Sequence, residues 1–176
     1  LNHSISPSKI EDDDFRIKVG EGENSYNISV LNISGTSFGS ISPKAIQSFS
    51  AGAKKGGFAH NTGEGSLSKY HERGGGDTIW QISTGYFGCR TKDGKFDENK
   101  FSDKAKLPQV KMIEIKLSQG AKPGHGGMLL GAKVSPESAK ARNVPVFEDV
   151  ISPHKHSEFS TPAELLTFVD KLRNLS

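Results

Sequence analysis

The stretch Pro108–Gly127, PQVKMIEIKLSQGAKPGHGG, decides the fold class. Val110 to Ile115 is rich in aliphatic and β-branched residues and predicts a strand. Lys116 ends it, and an ammonium beside so apolar a run is costly to bury unless an anion or polar ligand partners it. A long loop over residues 117–133 follows, with a second lysine, Lys122, and the glycines Gly120, Gly124, Gly126, Gly127 and Gly131. Ser135-Pro136 then has the chemistry of a helix start, Ser as N-cap and Pro in the first turn, for a helix ending near Arg142. These pieces make one strand–loop–helix unit.

The unit recurs upstream. A strand is expected over residues 28–33, a Gly/Ser loop over 34–42, and a helix from Ser42-Pro43 to about Lys55. Phe58–His60 reads as a short strand, Asn61–Gly65 as its loop and Ser66–Arg73 as a helical turn closed by Gly74. Thr78–Ile82 reads as a strand, residues 83–95 as a loop and 97–106 as a helix, while Thr161-Pro162 starts a final amphipathic helix. Four such units predict an α/β fold with a parallel sheet. The chemically loaded loops all follow strands, the asymmetry of a (β/α)8 TIM barrel, whose sites lie at strand C-termini. A whole barrel needs roughly 250 residues, so the expectation is an incomplete, roughly half barrel over residues 28–176, with 1–27 as an N-terminal lead-in. A doubly wound sheet remains the alternative. The open edges of a half barrel would invite self-association.

Composition narrows the function. Of 176 residues, 20 are glycine, about 11% where ~7% is usual. No apolar run approaches the ~18–20 residues of a membrane span, and Leu1–Ser6 has no basic-then-apolar signal pattern. Cys89 is the single cysteine, which excludes an internal disulfide and any all-cysteine metal or iron–sulfur site built from this segment; a reducing, cytoplasmic setting is expected. Residues 1–30 hold Glu11, Asp12, Asp13, Asp14, Glu21 and Glu23 against Lys9, Arg16 and Lys18. Elsewhere bases interleave with acids and have few aromatic neighbours, which argues against nucleic acid and for small anions.

Four loops could carry chemistry. Ser34–Ser42 combines small residues with a following helix N-terminus, and reads equally as an anion-binding turn or a flexible connector. Asn61–Gly65 holds Glu64 between two glycines, either to meet a ligand or as an ordinary exposed turn. Gln81 ends a strand with an amide that both donates and accepts, as a heterocycle edge requires, while Trp80 should point the opposite way into packing. The Lys116–Gly127 loop is the strongest, because a solvated loop does not explain why Lys116 ends so apolar a run. No G-x-x-x-x-G-K-[ST] or full G-x-G-x-x-G occurs, and no metal site is expected. His154-Lys155-His156, in a Pro-flanked loop without carboxylate partners, reads as surface.

The motifs TSFGSIS (Thr36–Ser42), GGFAHNTGEG (Gly56–Gly65), GGDTIWQISTGYFGCR (Gly75–Arg90) and Pro108–Gly127 agree in order and spacing with one family. The chain closely resembles the flavin-binding domain of the glutamate synthase family, in particular its short, stand-alone FMN-binding members, over about residues 10–176. The resemblance implies a (β/α)8 barrel with FMN at its C-terminal mouth. It implies an oxidoreductase in which reduced flavin converts 2-iminoglutarate, formed from 2-oxoglutarate and ammonia, to L-glutamate. Ser37 and Phe38 would lie along the flavin by their backbone, Thr62 and Gln81 would contact its ring, and Lys116 would face the N1/O2 side. Glu64 and Lys122 would act in catalysis, with Lys122, Arg142 and position 128 around the oxo acid. The resemblance further implies an ammonia source, an electron donor such as ferredoxin or a reductase subunit, and a three-cysteine iron–sulfur cluster with no ligands in this segment. Where the family pattern reads K-P-G-E-G-G-Q, residues 122–128 read KPGHGGM. Met128 cannot donate a hydrogen bond as that Gln would, which opens the alternative of another oxo acid or imine. A barrel fragment without turnover is the second alternative.

Overall fold

A computed structural model describes residues 5–7, 15–119 and 124–176 of the chain. The first strand pair among the described residues is a hairpin in which β1 (Arg16–Val19) runs antiparallel to β2 (Tyr26–Ser29). The strand expected over residues 28–33 is therefore split. Ser29 ends β2, and only Ile33 goes on to bridge His60 in parallel. Local polar side chains divert the chain between them: the Ser29 hydroxyl accepts from Leu31 N, and the Asn32 amide donates to Ser29 O and accepts from Ala59 N at 3.0 Å.

From Ile33 onward the sheet is parallel and sequential. The Ile33 bridge is followed in space by β3 (His60–Asn61), β4 (Thr78–Ile82) and β5 (Val110–Ile115), in chain order with no reversal. Three helices make the crossovers: α1 (Pro43–Gly56), α2 (Lys69–Gly74) and α3 (Glu98–Ala105). The result is a mixed α/β fold whose sheet stays open among the described residues. After β5, the stretch expected as one loop contains β6 (Met128–Leu129), which pairs antiparallel with β7 (Val150–Ile151) across α4 (Pro136–Arg142). α5 (Pro162–Leu175) closes the chain.

The helix starts follow their caps. Ser42 Oγ accepts from Ala45 N at 3.2 Å, Ser135 Oγ from Ser138 N at 3.2 Å, and Thr161 shares a capping box with Glu164. The period-two alternation of β4 divides its faces: Trp80 and Ile82 are fully buried toward the helices, where Trp80 stacks on Phe101 with centroids 5.4 Å apart. Phe96, Phe168 and Leu172 complete that core, with Val110, Ile113 and Ile115 from β5. The opposite face presents Gln81 beside Glu114, which is exposed.

The hairpin decides which end of the sheet remains free. An Arg16 guanidinium nitrogen donates to Gly57 O at 2.6 Å, and Tyr26 Oη donates to Asp77 Oδ2 at 2.8 Å. Gly57 and Asp77 lie just ahead of β3 and β4, so the hairpin sits at the strands' N-terminal ends and leaves their C-terminal ends to the loops. No helix among the described residues is long and apolar enough to cross a membrane.

Candidate functional site

Lys116 stands one residue beyond β5, where its N–H donates to Ile82 O at 2.8 Å. Alternation puts its side chain on the sheet face opposite Trp80, and its Nζ meets Glu64 Oε1 at 3.1 Å and Gln119 Oε1 at 3.1 Å. Gln119 Nε2 in turn donates to both Glu64 oxygens, at 2.9 and 3.0 Å. The three side chains form a closed ring of charge-assisted bonds drawn from two different loops. With side-chain exposures of 27% for Lys116 and 17% for Glu64, the pair is shielded but still reachable. Gly127 closes over it: a Cβ there would lie 3.1 Å from Gln119 Nε2 and 3.3 Å from Glu64 Oε1.

Glu64 also faces a small cleft, open to solvent, that brings Ser37, Met128 and Arg142 together. Arg142 is the last residue of α4 and only 3% exposed. One of its terminal nitrogens donates to Phe38 O at 2.9 Å, its guanidinium lies 5.1 Å from the Phe87 ring centre, and its Nε is buried without a partner. Burial holds its pKa down, partly countered by the charge of Glu64. A buried guanidinium with an unmatched donor is suited to a carboxylate. The close approach needs Gly65, because a Cβ there would lie 2.7 Å from Phe38 N and 3.1 Å from the Arg142 terminal nitrogen. Apolar Phe87, Leu129 and Val150 line it too, with Ser40, Gly127, Ser152 and Met128, the last 62% exposed.

The remaining predicted residues sit around this centre. Phe38 is buried with its ring 5.3 Å from Tyr70, and its loop is stitched to β3 by Thr36 N to Asn61 O at 3.3 Å and by the Thr36 hydroxyl with His60 Nε2 at 2.8 Å. Ser37 O accepts from Ser40 N, turning the loop. Thr62 is fully buried; its hydroxyl donates to Gly63 O and accepts from Gln81 N at 3.1 Å. The Gln81 amide donates to Glu114 Oε1 at 2.5 Å, and Asn61 Nδ2 donates to the same oxygen at 3.0 Å. Lys122 lies outside the described residues.

Three participants escaped the sequence reading. Gln119 lay inside a quoted motif without an assigned role. Glu114 could have been found from its i, i+2 spacing with Lys116, which puts both on one strand face. His156, expected on the surface, is 3% exposed, because its ring packs on Phe159 at 4.5 Å and hydrogen bonds at both nitrogens. Cys89 is fully buried, and burial pushes its thiol up to about 12, so it is no nucleophile. No group of three or more His, Cys, Asp or Glu able to hold a metal occurs among the described residues.

Most of the chain matches known proteins. A model of the conserved region in glutamate synthase matches residues 6–176. The chain is 44% identical over 151 residues to the glutamate synthase large subunit-like protein YerD of Bacillus subtilis, covering 85% of this chain and 29% of that protein. It is 36% identical over 129 residues to an archaeal-type glutamate synthase (NADPH) of Thermotoga sp. strain RQ2, covering 73% and 23%. For an archaeal glutamate synthase (NADPH) of Methanocaldococcus jannaschii the figures are 34% over 143 residues, 81% and 26%. The chain thus spans less than a third of the length of these relatives. With the family model matching nearly its whole length and a relative at 44% identity, the chain belongs to the glutamate synthase family.

Proposed function

We propose that this chain is the first half of a (β/α)8 barrel that binds FMN, and that the protein carrying it reductively aminates 2-oxoglutarate, by way of 2-iminoglutarate, to L-glutamate. The observation that carries the reading is the Glu64–Lys116–Gln119 ring beside the Arg142 cleft, at the C-terminal ends of sequential parallel strands. Sequential strand order favours a barrel segment over a doubly wound sheet, whose order reverses.

The donor set suits the edge of a flavin ring. Gln81 offers an amide, Lys116 a cation for the electron-rich N1/O2 side, and Ser37 and Phe38 a backbone rim, with Thr62 holding Gln81 in register. When bound and reduced, FMN supplies the hydride. The chain's own residues supply the rest. Arg142 would clamp the oxo acid carboxylate, and Glu64 would exchange a proton at the substrate nitrogen, with Lys122 assisting and Gln119 and Lys116 fixing the carboxylate's direction. Met128 would border the substrate's far end. Ammonia and an electron donor, ferredoxin or a reductase subunit, would come from elsewhere, in a cytoplasmic setting, and an iron–sulfur cluster would find its ligands outside this segment. The open sheet edges would favour self-association of the isolated chain.

A second reading, an FMN oxidoreductase acting on a different oxo acid or imine, is favoured by the apolar side chains Met128, Leu129, Phe87 and Val150 in the same cleft. The deciding experiment is a visible spectrum of the full-length protein, with mass identification of any pigment released on denaturation. Near-equimolar FMN supports the flavoenzyme, and reoxidation of the reduced protein by 2-oxoglutarate with ammonia identifies the substrate. A colourless protein that takes up no added FMN overturns both readings in favour of a barrel module without turnover.

A further inference from the structure

We propose that His156 is the positioning residue for Lys116, holding the end of β5 by its main chain so that the ammonium stays aimed at Glu64 and the flavin edge. Lys116 N–H makes the last contact to β4, and the carbonyl of the same residue is taken by His156 Nε2 at 2.9 Å. A carbonyl only accepts, so Nε2 carries the ring proton. Nδ1 is then a lone pair, and it accepts from the Tyr86 hydroxyl at 3.0 Å. Both partners are thereby satisfied, and one tautomer of a neutral imidazole is selected.

The clasp is rigid because each part is held in turn. The His156 ring lies flat on Phe159, centroids 4.5 Å apart, and meets Tyr86 edge-on at 5.3 Å. Tyr86 is fully buried between Phe96 and Phe168 and sits at φ +47°, a left-handed conformation that its packing must enforce. Burial lowers the His156 pKa, in keeping with a neutral ring. Without the clasp, the Lys116 peptide could rotate, and a long flexible side chain would magnify that freedom at Nζ.

The inference rests on the flavin reading, so its test separates the two. Sulfite adds to flavin N5 and leaves negative charge at N1 and O2, so its affinity for the FMN-loaded, full-length protein, read from bleaching of the visible band, reports the cation there. Lys116→Ala sets the scale. A protein without FMN overturns the flavin reading and this inference with it, whereas an unchanged sulfite Kd in FMN-loaded Lys116→Ala leaves the flavin in place and overturns the position of Lys116 at its N1/O2 edge, and this inference with that. His156→Gln retains an N–H near the position of Nε2, whereas His156→Asn can still accept from Tyr86 but stops short of Lys116 O. The expected result is a sulfite Kd raised about tenfold in His156→Asn, the size of one lost hydrogen bond, and within about twofold of the parent in His156→Gln. Parent-like affinity in His156→Asn, or equal losses in both variants, overturns the positioning role. Should His156→Asn fail to fold, Tyr86→Phe decides, since it removes the hydroxyl that anchors His156 Nδ1 and also accepts from Glu158 N at 3.3 Å. A raised Kd then supports the clasp, and an unchanged one overturns it.

Discussion

Lys116 and Glu64 are 52 residues apart in sequence, yet Nζ and Oε1 lie 3.1 Å apart, with Gln119 bonded to both. Neither charge is fully removed from water, so the pair's net contribution to stability is small, about 1 kcal/mol or less. Its value is geometric: it fixes an ammonium and a carboxylate on one side of the cleft. Replacing Lys116 by Ala should therefore lower turnover by about a hundredfold or more, the scale of a lost electrostatic stabiliser, while the melting temperature changes little. Steady-state kinetics alongside a thermal melt check this, and unchanged turnover would remove Lys116 from the site.

Arg142 makes a different prediction. Its charge is buried, its Nε has no partner, and its planar fork suits a carboxylate. Arg142→Lys keeps the charge and loses the fork. The KM for the oxo acid should rise by one to two orders of magnitude, equivalent to about 1.5–3 kcal/mol, with kcat changed less. A KM that does not move would place the substrate carboxylate elsewhere.

Acid should weaken the fold through His60 and His71. Both rings are fully buried, 5.1 Å apart, with His60 Nδ1 and His71 Nε2 unpartnered. Burial lowers the His60 pKa to about 4; burial and then the neighbouring His60 lower that of His71 to about 3. An unfolded histidine takes up a proton near pH 6.5. Between that value and the folded pKa the unfolded chain therefore binds more protons, and stability falls as pH falls. The loss by pH 4 is on the order of 3 kcal/mol for one such group. Urea midpoints measured from pH 7.5 to 4.5 should decline steeply below 6.5, and His71→Gln should flatten the curve. A flat curve for the parent protein would show that the pair is not neutral in the fold.

What could be read from the sequence was whatever depends on near neighbours. The strands Thr78–Ile82 and Val110–Ile115 have local β chemistry, and Ser42-Pro43, Ser135-Pro136 and Thr161-Pro162 cap helices within a few residues. Glu64 and Lys116 stood out because charge beside glycine or beside an apolar run is locally odd. His156 did not, since its polar neighbours Lys155 and Ser157 look like surface and its partners Tyr86 and Lys116 lie 70 and 40 residues away. The β1–β2 hairpin and the β6–β7 pair were hidden for a related reason. Two- to four-residue strands carry almost no periodicity, and pairing with a distant segment creates them.

Met128 gives the sharpest test of substrate. It shares the cleft with Arg142, where Leu129, Val150 and Phe87 add apolar side chains beside the polar Ser37, Ser40, Glu64 and Ser152. A substrate with a second carboxylate needs a donor at its far end, and a thioether has none to offer. Met128→Gln introduces an amide on a 62% exposed side chain at the rim, where the longer-range fold has little stake. If the native substrate has an apolar tail, the variant should gain affinity for 2-oxoglutarate by about fivefold to tenfold, one hydrogen bond's worth, and lose a similar factor for a monocarboxylic oxo acid such as 2-oxo-4-methylpentanoate. Competition between the two acids for the reduced enzyme measures both changes at once. If 2-oxoglutarate is native and bound by Lys122 and Arg142, the same substitution should leave its KM within about twofold, because two cations already neutralise its carboxylates.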